Sequence, residues 1–172
     1  MAIYTLIPHP DFPSLAVKEV SVEAYRRDGN LCLHYRVEGG GEVVWPEPAA
    51  PGRADELWKT TCFELFAKRD GGADYEEFNF SPSGRWAAYA FDAYRAGMRD
   101  LSLPVDPRVE RLGDGVIVRG LVPGSGRRVA LTAVIEETGG RRSFWSLAHP
   151  PGAPDFHRDD CFVARLPAPE AS

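Results

Sequence analysis

Apolar and polar residues alternate with period two over much of this chain, and each alternating run is cut short by a turn signal. Together these features restrict the fold to antiparallel β-structure. Val20, Val22 and Ala24 fall on one side of a run, with Ser21, Glu23 and Tyr25 on the other. Leu31, Leu33, Tyr35 and Val37 likewise oppose Cys32, His34 and Arg36. Between such runs stand Asp28-Gly29-Asn30, Asp70-Gly71-Gly72, Gly113-Asp114-Gly115 and Thr138-Gly139-Gly140. Gly, Asn and Asp reach the positive φ values that tight reversals demand, so each triplet predicts a hairpin connection. Segments 116–122 and 128–137 are apolar on both sides for part of their length, which predicts central strands.

Helical patterns are confined to Asp92–Met98 and a turn around Asp55–Trp58, each too short to organise a layer. The expected fold is therefore all-β: an antiparallel β-sandwich, jelly-roll or immunoglobulin-like, with at most one or two short helices. A chain of 172 residues is long enough for one sizeable core. Residues 1–166 are expected to form a single domain and 167–172 a frayed C-terminal tail. Residues 46–56 and 149–159 read as two long loops rich in Pro and Gly.

Charge and cysteine usage narrow the function. The 25 acidic and 20 basic residues leave a net charge of −5, which argues against a nucleic-acid partner, since phosphate recognition is built from clustered Lys and Arg. No run of about 18 apolar residues exists, and the first ten residues lack the basic and apolar regions of an export signal. A membrane partner is not expected, and the expected location is cytoplasmic. Cys32, Cys62 and Cys161 are odd in number and widely spaced, the pattern of reduced structural thiols.

The informative stretch runs from Leu57 to Arg95. In its first strand Phe63 and Leu65 point one way and Cys62, Glu64 and Phe66 the other. In its second, Phe78 and Phe80 oppose Tyr75, Glu77, Asn79 and Ser81. If the phenylalanines meet in the core, Glu64, Glu77 and Asn79 gather on the reverse face, with Trp58, Trp86, Tyr89 and Arg95 at the ends of the segment. Taken singly these are ordinary solvated or core positions. Taken together, aromatic planes beside carboxylates, an amide and a guanidinium form what a sugar site requires: a ring C–H face stacks on an aromatic while its hydroxyls meet donors and acceptors.

Leu-Trp-x-x-Thr-Cys-Phe-Glu-x-Phe at 57–66 and Tyr-x-Glu-Phe-Asn-Phe-Ser-Pro-Ser-Gly-x-Trp at 75–86 resemble the DOMON-like superfamily, and within it proteins similar to carbohydrate-binding module family 9. Phe-Trp-Ser-Leu-Ala at 144–148 and Pro-Asp-Phe-His at 154–157 carry the same likeness. The resemblance implies a jelly-roll-like sandwich binding a small ligand, a sugar or haem. For a sugar it implies a clamp from Trp58 with Trp86 or Trp145, and Glu64, Glu77, Asn79 and Arg95 as hydroxyl partners. The expected function is thus a non-catalytic carbohydrate-binding module with no cofactor.

Other readings stay open. Haem binding of the kind the resemblance implies pairs a Met with a His or Lys; Met98 and one of His9, His34, His149 or His157 supply that pair in composition. Glu64 with Glu77 offers the two carboxylates of a glycoside-active enzyme, although no nucleophile elbow, zinc-protease or phosphate-loop signature accompanies them. Asp155, Asp159 and Asp160 offer oxygens for calcium. A protein-interaction module is the remaining alternative.

Overall fold

The structure, a computed structural model, describes residues 1–121 and 128–166. The expected tail at 167–172 lies outside the described residues. The strands are β1 (Ala2–Pro8), β2 (Glu19–Arg27), β3 (Asn30–Glu38), β4 (Gly52–Arg53), β5 (Cys62–Lys68), β6 (Tyr75–Phe80), β7 (Arg85–Phe91), β8 (Arg99–Asp100), β9 (Arg108–Arg111), β10 (Gly115–Leu121), β11 (Arg128–Glu137), β12 (Arg141–Ser146) and β13 (Ala164–Arg165). All four sequence-marked turns join antiparallel neighbours: β2 to β3, β5 to β6, β9 to β10 and β11 to β12. The fold is all-β. Among the described residues there is no α-helix, only single 3-10 turns at Gly40–Glu42, Leu57–Lys59 and Asp159–Cys161. The segment Asp92–Met98 is not helical, because Arg95 at φ 50° and Gly97 at φ 68° lie in the left-handed region that a right-handed helix excludes.

The expectation of two packed antiparallel sheets needs revision. The strands form one curled mixed sheet in the order β4-β7-β6-β5-β11-β12-β1-β2-β3-β10-β9, with β13 beside β11 and β8 beside β7. The seam is β1, whose residues from Ala2 to Leu6 pair with β2 while Ile7 and Pro8 pair with β12. One strand thus belongs to both halves, and the sheet bends through it rather than breaking. The short β4 runs parallel to β7, which makes the sheet mixed.

Curling brings the inner faces of the two halves together over the main core. Leu33, Tyr35 and Val116 of one half join Phe63, Leu65 and Phe78 of the other. The Tyr35 and Phe63 rings lie 5.0 Å apart, and the Tyr35 hydroxyl donates to the Glu64 carbonyl at 2.6 Å. Glu137 on β11 anchors a loop to this body: its fully buried carboxylate accepts the backbone N–H groups of Leu15, Ala16 and Val17 at 2.7, 2.9 and 3.1 Å.

Strands β5, β6, β7 and β11 are covered on their other face too. There Phe66, Tyr75, Tyr89, Phe91 and Val134 form a second, smaller cluster, closed by Phe156, Cys161 and Phe162 from the C-terminal loop. Burial on both faces explains why 128–137 reads as apolar on both sides, as a doubly covered strand must. This second face carries the candidate site.

Candidate functional site

Strand register sets the site in two rows across the second face. One row runs Thr132, Glu64, Asn79, Ala87 over β11, β5, β6 and β7; the next runs Ala130, Phe66, Glu77, Tyr89. Glu64 and Glu77 are therefore diagonal neighbours on adjacent strands, a spacing of about 7–8 Å that long side chains readily close. The expected gathering of Glu64, Glu77 and Asn79 behind Phe63, Phe78 and Phe80 is what the structure shows. These three are not solvated, however: they are 2, 6 and 1 % exposed. A cavity of about 770 Å³ lies against this face, and the segments around Trp58, Arg95 and Phe156 that wall it shield the three residues from bulk water.

The carboxyls of Glu64 and Glu77 reach the cavity floor. Burial pushes the Glu64 pKa up to about 8, reinforced by the Glu77 charge and opposed by the 2.9 Å hydrogen bond from Thr132. Burial likewise pushes Glu77 up to about 7, opposed by the Asn79 amide and the Arg95 guanidinium. The Asn79 amide stands close to Glu77, but neither its Nδ2 nor its Oδ1 attains full hydrogen-bond geometry with any described group. Such a buried amide costs roughly 1–3 kcal/mol when left unpaired.

One wall is a hydrogen-bonded network. The Arg95 backbone N–H donates to the Tyr75 hydroxyl at 3.1 Å, and that oxygen lies 2.7 Å from His157 Nδ1. His157 Nε2 faces the Glu77 carboxylate at 3.8 Å. Burial, with Arg95 nearby, depresses the His157 pKa to about 4 against the pull of Asp155, so the imidazole is neutral at pH 7. Asp155 in turn accepts from Arg95 Nη2 at 2.9 Å and from the His157 backbone N–H at 3.1 Å. Opposite, the Tyr89 hydroxyl donates to Asp55 at 2.5 Å. Trp58 sits at the rim, 47 % exposed.

Of the sequence-predicted site residues, the structure brings Trp58, Glu64, Glu77, Tyr89 and Arg95 to the cavity, with Asn79 beside Glu77 on the same face. Trp86 and Trp145 are corrections. Trp86 pairs with Phe80 and so shares the phenylalanine side; it packs in the main core with the Arg53 guanidinium 4.5 Å above its ring. Trp145 also lies in that core, its Nε1 donating to Ser143 at 2.8 Å. Each is one strand position away from a cavity-side residue, Ala87 or Phe144. The aromatic walls come instead from Phe66, Phe91, Phe144 and Phe156.

Asp155, Asp159 and Asp160 do not converge as a calcium cage. Asp155 pairs with Arg95, Asp159 with Lys68 and Arg128, and Asp160 with Arg158. Among the described residues no group of three or more His, Cys, Asp or Glu is arranged to hold a metal ion. His9 and His149 brace loops through Gly152 and Ile7 carbonyls at 2.8 and 2.7 Å. His157 and Met98, by contrast, both line the cavity.

No protein-family model and no curated protein matches the chain. A solved structure from Bacteroides uniformis ATCC 8492, described as "a putative carbohydrate-binding protein", is similar with a TM-score of 0.62 and 20% identity, over 94% of this chain and 84% of that one. At that identity the likeness shows a shared fold.

Proposed function

We propose that this chain is a non-catalytic module that binds a carbohydrate or related polyhydroxylated ligand in the cavity above Glu64 and Glu77. The observation that carries this reading is the cavity's composition. It is lined by two largely buried carboxyl groups among aromatic rings, with a half-exposed indole at its rim. Such a site is mostly apolar with a few fixed polar groups, as small-ligand pockets are. In this reading Trp58 stacks on a sugar ring, and Glu64, Glu77 and Arg95 meet hydroxyls, with Asn79 buttressing Glu77. The jelly-roll-like resemblance to DOMON-like and family 9-like binding modules, and the fold shared with the Bacteroides protein, support the same reading.

Isothermal titration over a panel of mono- and oligosaccharides tests this. Trp58→Ala is expected to weaken the best ligand at least tenfold while moving Tm by no more than about 2 °C, since surface substitutions rarely exceed 0.5 kcal/mol. A flat response from every saccharide counts against the reading, and turnover of chromogenic glycosides counts against its non-catalytic part. One observation favours a second reading: Met98 and the neutral His157 share the cavity, and such a pair suits haem iron. A Soret band in the purified protein decides for haem.

A further inference from the structure

The cavity is electrostatically lopsided. Its two arginines are already neutralised, Arg95 by Asp155 at 2.9 Å and Arg99 by Asp92 at 2.7 Å. Its acids are not. Glu64 receives one hydrogen bond, from the uncharged Thr132, and no Lys or Arg pairs with Glu77. Asp55 and Asp100 add two more carboxylates to the walls, Asp55 engaged by the Tyr89 hydroxyl.

Glu77 makes the case beyond a mere grouping of acids. More than nine-tenths buried and lining the cavity, its carboxyl has among the described residues the Asn79 amide close by but short of full hydrogen-bond geometry, the neutral His157 at 3.8 Å, and the Arg95 charge acting without an ion pair. The rings of Phe66, directly opposite Glu77 on β5, and of Phe91 and Phe144 line the same cavity, and aromatic faces attract cations most strongly where water is excluded.

Building on the binding reading above, we propose that the ligand carries a cationic nitrogen, as an amino sugar or related organic amine does, seated against Glu64 and Glu77 between the aromatic rings. A neutral hydroxyl is served as well by an amide as by a carboxylate, and gives no reason to bury two uncompensated acids side by side. An ammonium favours the ionised form of the same pair, releasing to solvent the protons that burial retains, and the carboxylates then accept charge-assisted hydrogen bonds, roughly twice as strong as neutral ones. A uronic acid gains nothing comparable, because it meets acids on floor and wall and arginines whose charge is already spoken for.

The test is calorimetric titration at neutral pH with glucose, glucosamine, glucuronate and choline. The wild-type chain is compared with Glu64→Gln and Glu77→Gln variants shown to be folded by thermal melting. Glucosamine is expected to bind at least tenfold more tightly than glucose, with glucuronate weakest, and each variant is expected to lose most of the preference for the amine. Equal affinity for glucose and glucosamine overturns the cationic-ligand proposal and leaves the carbohydrate reading intact. Choline binding without any saccharide binding supports the cation and overturns the carbohydrate. No binding by any of the four overturns both.

Discussion

Replacing Glu77 by Gln is expected to stabilise the protein, and to do so only above mildly acidic pH. The Glu77 pKa stands at about 7 in the fold against 4.5 for a free glutamate, because burial penalises its charge. The folded chain therefore keeps a proton that the unfolded chain loses between those two values. Protons bound exceed those of the unfolded state in that window, so stability falls as pH rises through it. Below about pH 4.5 both states are protonated and the penalty vanishes. Each decade of the gap is about 1.4 kcal/mol, which gives a penalty of roughly 3 kcal/mol at pH 8. For a domain of this size that is a gain of roughly 6–12 °C in Tm for the glutamine variant. Glu64 moves in the same direction, since the Glu77 charge helps to hold its pKa up. Urea unfolding of both proteins from pH 4.5 to 8 measures the difference directly. A gain that is the same at every pH, or a variant less stable than wild type at pH 8, refutes the assignment of Glu77 as a buried, uncompensated acid.

Glu137→Ala is expected to cost about 2–3 kcal/mol, because it removes the charged acceptor of the Leu15, Ala16 and Val17 N–H groups and leaves the buried Val17 N–H without it; urea unfolding at pH 7 reads it. Burial alone would raise the Glu137 pKa, but those three donors and Arg141 lower it, so this contribution is present at neutral pH and fades as pH falls through the depressed value. Trp145→Ala is expected to lower stability by about 3–5 kcal/mol, the range for emptying a large core site. It contrasts with Trp58→Ala, whose effect is expected on binding alone; a melting temperature unchanged in Trp145→Ala contradicts its placement in the core.

Parity along a strand was the reliable part of the sequence. Phe63 and Leu65, Phe78 and Phe80 alternate against Glu64, Glu77 and Asn79, and the fold keeps every one of them on the side that alternation assigns. Residue chemistry that runs against parity misleads. Trp86 and Tyr89 are three positions apart on one strand, so they cannot share a face, and it is Tyr89 that reaches the cavity. Trp145 is the indole but faces the core, while its neighbour Phe144 holds the cavity-side position. The lid was not legible at all. Residues 154–157 read as a Pro-rich loop, and nothing local says that Asp155 and His157 fold back over β6 to meet Arg95 and Tyr75. That cover is the reason why Glu64, Glu77 and Asn79 are buried instead of solvated. The curl of the sheet was also hidden, because it depends on β1 pairing both with β2, 14 or more residues away, and with β12, more than 130 residues away.

Backbone amide spectra recorded while a saccharide is titrated into isotopically labelled protein test the central claim most directly. The account predicts shifts confined to the cavity: the turn at Trp58, the strand around Glu77 and Asn79, the bend at Arg95 and the loop at Asp155 and His157. Shifts on the opposite face around Trp86 and Trp145, or a spectrum unmoved by every saccharide tried, contradict it.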